Sequence, residues 1–376
     1  MIRIVGTGLY APGEAIDNEE LKKLAGIEFD AARIEEKLGI NSRHIAHLRG
    51  IDETTADFAE KAARDAIADA DVDPQEIDLF VVGTDTPEYI SPATSMLVQG
   101  RIQGGQRYTG TWDLGASCSS FVAALDAVAR LVGTDPTITK ACVVGVYNMP
   151  AYTREGDAFG YSIFADGAAA VIVEKAESPA LSAGPQAVAI TGGAEPATSG
   201  AAGGPTDQSS SGAAKADRGP VRASRYLGGQ LLADGTQWNY VGVYSGGTRQ
   251  PVTKERLDAG EYGLQLLQRL PGDRNVKLWP DMVRRLLDKI GLSVDDVDHI
   301  LFTQINKSVI QEVLGILGID ESKSTFVMDR YGYTGSACIP MAFHTAVTEG
   351  RIKRGDRVVM VASGAGLAVA SAAFVY

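Results

Sequence analysis

Short apolar runs rich in β-branched residues punctuate this chain, and longer segments with helical spacing lie between them. Runs at 2–5, 79–82, 141–146 and 168–173 in the first half, and at 188–190, 299–302, 325–327, 358–361 and 372–375 in the second, predict buried strands. Residues 55–68 and 280–290 carry the helical period. Such alternation predicts α/β architecture with sheets covered by helices. The pattern also repeats. Residues 72–84 (VDPQEIDLFVVGT) are echoed by 292–303 (LSVDDVDHILFT), each an acidic turn running into an apolar strand. Around Cys118, WDLGASCSSFVAALDAVARLV then KACVVGVYN reads as strand, glycine-containing elbow, helix, turn and strand. Around Cys338, MDRYGYTGSACIPMAFHTAVTEGRI, KRGD and RVVMVASGAG repeat that order. The offset of about 220 residues is too long for a solenoid and predicts two fused halves, 1–180 and 181–376.

Two segments resist that scheme. Residues 197–217 (ATSGAAGGPTDQSSSGAAKAD) have almost no large apolar side chain and read as a surface excursion, flexible or ordered by a ligand, in preference to a recognition loop. The GTG at Gly6 to Gly8 follows a strand but lacks the third glycine of a dinucleotide fingerprint and is discarded.

Composition narrows the function. With 47 acidic and 35 basic residues the net charge is −12, the wrong sign for broad nucleic-acid binding. Three cysteines are too few for a disulfide scaffold and suit a reducing, cytoplasmic setting. The start, MIRIVGTGLYAPGEAI, lacks the pattern of a signal peptide, and no run of about 18 apolar residues suggests a membrane span.

Of the three thiols, Cys118 has a local setting that suits a nucleophile and a buried structural cysteine equally. Small neighbours on both sides (Gly115, Ala116, Ser117, Ser119, Ser120) permit a sharp turn and close approach by a ligand. A thiol at the first turn of the following helix would face unpaired N–H groups, which lower its pKa and favour the nucleophilic thiolate. Cys142, inside an apolar run, and Cys338 read as structural.

These motifs, with IVGTGLYAP, LGINSRHIA (38–46), IFADGAAAVIVE (163–174), MDRYGYTGSACIP (328–340) and GRIKRGDRVVMVASGAGLAVASAAF (350–374), together resemble the β-ketoacyl-ACP synthase III family of thiolase-like condensing enzymes. The resemblance implies a five-layer α/β/α/β/α sandwich of two duplicated βαβαβ halves, and a homodimer. It implies an acyltransferase of fatty acid, polyketide or secondary metabolism that takes acyl-CoA or acyl-carrier-protein thioesters, with no metal and no permanently bound cofactor. Cys118 matches the acyl-accepting nucleophile, and its N–H with that of Ala365 would form the oxyanion hole.

Two motifs depart from the family pattern. Where it has a histidine before Gln-x-Asn, FTQIN has Thr303; where it has asparagine after Tyr-Gly, YGYTG has Tyr333. The resemblance therefore places Thr303 and Tyr333 in the catalytic pair, with Asn306 as polar support. His44, His47, His299 and His344 are read as packing or structural rather than as substitutes. Asp85 and Glu88, in GTDTPEY, occupy a loop where hydroxymethylglutaryl-CoA synthases carry a catalytic acid, and are possible acid/base groups that otherwise turn the chain or cap a helix. Arg33 and Lys37 match the Trp and Arg positions that bind the adenine end of CoA, and Ala158 replaces another arginine. One basic contact is kept and the aromatic stack is lost, which leaves a carrier-protein donor open.

Three functions remain: condensation onto a carbon nucleophile with a redesigned second half-reaction, acyl transfer to an alcohol, amine or thiol, and a non-catalytic partner of an active homologue. The intact GASCSS elbow counts against the last, and condensation, which dominates the family, is placed first.

Overall fold

The structure, a computed structural model, describes residues 1–176 and 222–376. The strand expected at 188–190, the excursion at 197–217 and the expected boundary at 180/181 lie outside the described residues. Strands in chain order are β1 (Ile2–Tyr10), β2 (Ile16–Asp17), β3 (Ser42–Arg43), β4 (Leu79–Gly83), β5 (Gly110–Leu114), β6 (Lys140–Tyr147), β7 (Gly167–Lys175), β8 (Arg225–Gln237), β9 (Val241–Val243), β10 (Leu264–Leu266), β11 (His299–Phe302), β12 (Arg357–Gly364) and β13 (Gly366–Val375).

Two large sheets carry the fold, ordered β1-β7-β6-β4-β5 and β8-β13-β12-β11. In each, the outer two pairings are antiparallel (β1/β7 and β7/β6; β8/β13 and β13/β12), and the next is parallel (β6/β4; β12/β11). The predicted duplication is therefore present in the order and direction of four strands of each sheet. The second sheet has no fifth strand to match β5: 325–327, expected as a strand, forms none, and the only pairing there is the Ile300–Ser324 bridge. The Gln304 side chain substitutes for a ladder, donating to the carbonyls of Phe302 (2.8 Å) and Thr325 (3.2 Å) and accepting from the Val327 N–H (2.9 Å).

Helices Ser120–Thr134 and Cys338–Thr348 lie between the sheets, apolar nearly all round, as a doubly covered layer requires. Helix Thr55–Asp69 covers the outer face of the first sheet through Ala59, Ala62, Ala63 and Ala66. The discarded GTG has its explanation here. A Cβ on Gly6 would stand 2.5 Å from the Ala66 carbonyl oxygen, and one on Gly8 2.3 Å from the Ala66 nitrogen, so the glycines let strand and helix backbones touch. Helix Arg274–Ile290 covers the second sheet with Trp279, Met282, Val283, Leu286 and Leu287. Pro280 suggested a helix start, but the helix begins six residues earlier. The hydrogen bond that proline forfeits is outweighed by burial of Trp279, stacked on Phe302 at 5.2 Å. This early start delivers Arg274 and Asn275 to the site. The layer order is helix, sheet, helices, sheet, helix, as the resemblance implied.

No helix among the described residues is long and apolar enough to cross a membrane.

Candidate active site

Both helices of the central layer begin at the same end of the sheets, and Cys118 lies two residues before the first of them. The turn is forced: Ser117 adopts φ +51°, a conformation costly for a side chain with a Cβ, and is held there by its neighbours. Ser120 Oγ accepts from the Ala116 N–H at 2.8 Å and donates to the Ser117 carbonyl at 2.5 Å, while Ser119 Oγ donates to the Ala116 carbonyl at 2.6 Å. The run of small residues is thus a set of backbone clamps. From the other sheet Gly364 presses in so closely that a Cβ there would sit 2.5 Å from the Cys118 nitrogen.

Cys118 borders a cavity of about 370 Å³ whose polar lining includes Asp85, Ser117, Tyr147, Tyr333, Arg274, Asn275 and Ser363. Met149, Phe159, Phe164, Leu264 and Ile305 supply apolar wall, and Ala365 closes the side near the sulfur. This size and mixture suit a small-molecule site.

Electrostatics at the sulfur differ from the expectation. The thiol is 9% exposed, and its pKa is pushed up to about 12 by burial and by the nearby Asp85 carboxylate. The Tyr333 and Ser117 hydroxyls and the residue's own N–H pull the other way but do not win. The dipole of a helix starting two residues later is too weak and too distant to offset desolvation. Asp85 is raised to about 6 by burial and tempered by Ser117. Its Oδ2 accepts the Ser117 hydroxyl at 3.2 Å, and its Oδ1 has no partner among the described residues. Ser117 Oγ also accepts from the Ala365 N–H at 3.1 Å and stands 3.9 Å from Cys118 Sγ. The Ala365 N–H expected in the oxyanion hole is therefore engaged by Ser117.

Tyr333 is 2% exposed and held by its main chain, its N–H donating to the Ile163 carbonyl and its carbonyl accepting from the Ala165 N–H, both at 3.0 Å. Its ring packs on Phe164 at 5.6 Å and Tyr147 at 6.4 Å. Burial raises the phenol well above its ordinary value, so it is a hydrogen-bond donor to the sulfur rather than a base.

Other expected site residues are placed elsewhere. Thr303 follows β11, buried, but its hydroxyl accepts from the Ser363 N–H at 2.9 Å and it is absent from the cavity lining; the hydroxyl serves the sheet end. Asn306 caps helix Lys307–Leu317, accepting from the Val309 N–H. Glu88 accepts from the Ala56 N–H at 2.9 Å and the Thr54 hydroxyl at 2.8 Å, at the start of helix Thr55–Asp69. Arg33 and Lys37 are exposed on a short helical turn and do not border the cavity. The histidines bond elsewhere: His44 to the Pro12 and Gly13 carbonyls, His47 to Tyr161, His299 to Thr325 and His344 to Thr7. Cys142 is interior to β6 and Cys338 opens the central helix, both fully buried. Among the described residues no three His, Cys, Asp or Glu side chains are grouped to hold a metal ion.

Sequence reasoning missed Arg274, Asn275, Ser363 and the active position of Ser117. Only Ser117 left a signal, its place inside the clamp next to the thiol.

Comparison with known proteins gives one answer. A family model described as 3-oxoacyl-[acyl-carrier-protein] synthase III matches residues 112–187, and its C-terminal counterpart matches 287–376. A β-ketoacyl-[acyl-carrier-protein] synthase III of Alkalilimnicola ehrlichii is 30% identical over all of this chain and 99% of that protein. One from Desulfitobacterium hafniense is 27% identical over 97% of the chain and 95% of its own length. Among solved structures, the Aquifex aeolicus 3-oxoacyl-[acyl-carrier-protein] synthase III superposes with a TM-score of 0.76 at 25% identity, both chains fully covered. The priming β-ketosynthase of the R1128 polyketide pathway has the same fold, with a TM-score of 0.77 at 24% identity over 99% of this chain and 95% of that one.

Proposed function

The chain belongs to the β-ketoacyl-[acyl-carrier-protein] synthase III family, and on that premise we propose that it forms an acyl-enzyme on Cys118 and passes the acyl group to a carbon nucleophile. The family class is that of 3-oxoacyl-ACP synthases, condensing acyltransferases that work on acyl-CoA and acyl-carrier-protein thioesters. The observation that carries the reading is Cys118 bordering the cavity with Asp85 linked to it through Ser117.

In the first half-reaction Cys118 Sγ attacks the thioester carbonyl, a new C–S bond forms, and the donor's C–S bond breaks. A thiol with a pKa of about 12 is ionised in roughly one molecule in 10⁴ to 10⁵ near pH 7.5, so its proton must leave as attack proceeds. Asp85 takes it through the Ser117 hydroxyl and returns it to the departing thiolate. The Cys118 N–H and the Tyr333 hydroxyl stabilise charge on the carbonyl oxygen and on the sulfur.

In the second half-reaction the acyl group leaves Cys118 for the acceptor. The second reading, transfer to an alcohol, amine or thiol, is favoured by one observation. Asp85 is the one cavity-lining group among the described residues whose pKa lies near neutrality, and an ionised carboxylate suits a hydroxyl or amine acceptor without any enolate. A homodimer belongs to the proposal, since β5 is an edge strand with an unpaired main-chain side for a second copy.

The test is intact mass after incubation with a panel of acyl-CoA and acyl-carrier-protein donors. An acyl adduct that Cys118→Ala abolishes supports the reading, and no adduct from any donor refutes it. Carbon dioxide release from malonyl donors separates condensation from simple transfer.

A further inference from the structure

Arg274 is the one cationic side chain in the cavity lining, and the one carboxylate there, Asp85, accepts from Ser117 and makes no ion pair with it. It stands in the first turn of helix Arg274–Ile290, half-buried, and its guanidinium makes no ion pair and no hydrogen bond with any of the described residues. The other cores and edges of this molecule treat arginine differently. Buried Arg43 donates to the Asn18 side chain and the Ser162 carbonyl, Arg49 pairs with Glu20, and Arg357 with Asp296. A guanidinium carries five donors, and leaving them without acceptors while partly out of water is costly. Burial lowers the Arg274 pKa, and the groups that act on it electrostatically are Tyr333, Cys118 and Tyr240, phenols and a thiol rather than carboxylates. Beside it Asn275 also borders the cavity, with its Oδ1 accepting from Ser363 Oγ at 3.2 Å, which orients the amide NH₂ away from that hydroxyl. The remaining wall offers Phe159, Phe164, Met149 and Leu264 to an apolar chain.

We propose that the acyl group loaded on Cys118 ends in a carboxylate, which Arg274 and Asn275 bind across the cavity while the apolar wall holds the methylene chain between. This deepens the acyl-enzyme reading and rests on it for the loading step. Arg274 lines the same cavity as Cys118 and Tyr333, whereas the phosphates of CoA or of a carrier protein are held off by the whole pantetheine arm. A carboxylate on the acyl group is thus the anion in range, and a bidentate arginine–carboxylate contact is the strong geometry for it.

The experiment uses pantetheine thioesters, which carry no phosphate, and compares succinyl with butyryl, matched in chain length. Labelling of Cys118 is followed by intact mass, and the readout is the ratio of the two rates, which a general loss of fold or of thiol reactivity leaves unchanged. The expected wild-type ratio favours succinyl by about tenfold or more, Arg274→Gln brings it close to one, and Arg274→Lys keeps part of it. Equal rates in the wild type, or a ratio untouched by Arg274→Gln, overturn the proposal while leaving the acyl-enzyme reading intact. Calorimetry on Cys118→Ala with the unreactive succinyl and butyryl amide analogues separates the two failures. A succinyl preference there without labelling of the wild type keeps the carboxylate site and removes the acyl-enzyme, and equal binding removes the carboxylate site.

Discussion

The Ser117 hydroxyl donates to Asp85 Oδ2 at 3.2 Å while lying 3.9 Å from Cys118 Sγ, and this places a carboxylate one hydroxyl away from the nucleophile. Removing either end of the link isolates the thiol from its base. Ser117→Ala and Asp85→Asn are each expected to slow acylation of Cys118 by about 10²-fold, within the ordinary range for general-base catalysis. The rate of adduct formation measured by quench and intact mass checks this. A change smaller than about threefold in both variants would mean the proton takes another route.

The same carboxylate sets a pH limb. Asp85 must be ionised to accept a proton, and its pKa is about 6, so the acylation rate should rise through that pH and level off above it. In Asp85→Asn this limb should vanish. A wild-type profile flat across pH about 5 to 7 would exclude Asp85 as the base.

Tyr333→Phe keeps the ring stacked on Phe164 and removes only the hydroxyl, which acts to lower the thiol's pKa. The thiol should become harder to ionise. Alkylation of Cys118 by iodoacetamide should then shift its pH dependence to higher values with little change in melting temperature. An unchanged alkylation profile would show that the phenol does not act on the sulfur.

Thr303→Val is expected to act on stability alone. It leaves the buried Ser363 N–H without its acceptor, a loss of about 1–3 kcal/mol, visible as a lower unfolding midpoint in denaturant. The acylation rate of the folded variant should match the wild type. A loss of rate beyond about tenfold with unaltered stability would return Thr303 to the catalytic set.

Asp166 gives a stability signature. It is fully buried, with Oδ2 accepting from the Ala46 N–H at 2.8 Å and Oδ1 without a partner among the described residues, and burial raises its pKa to about 8. The folded state therefore binds this proton more tightly than the unfolded chain, where the pKa is about 3.9. Its contribution is fully present at low pH and declines as pH rises from about 4 to about 8. Asp166→Asn mimics the protonated form and should flatten this decline, so melting temperature should gain most near pH 8. A variant whose pH dependence parallels the wild type would refute the assignment.

The hydrophobic pattern and its repeat determined most of the fold by themselves, because a sheet covered on both faces needs continuous apolar strands whatever its neighbours are. The observed β4, β6, β7, β11, β12 and β13 contain the predicted runs. The turn that presents Cys118 was legible because a sharp turn beside a helix needs several small residues in succession. Tertiary structure alone decided the rest. Thr303 and Tyr333 look alike as hydroxyl-bearing replacements, yet one hydroxyl is taken by the Ser363 N–H and the other stands by the sulfur. Arg274 carried no signal in the sequence; the packing of Trp279 against the second sheet draws the helix start back and sets the guanidinium in the cavity. The thiol's pKa follows the same rule: a dipole is local and visible in sequence, but desolvation depends on every layer packed around the atom, and here it is the larger effect.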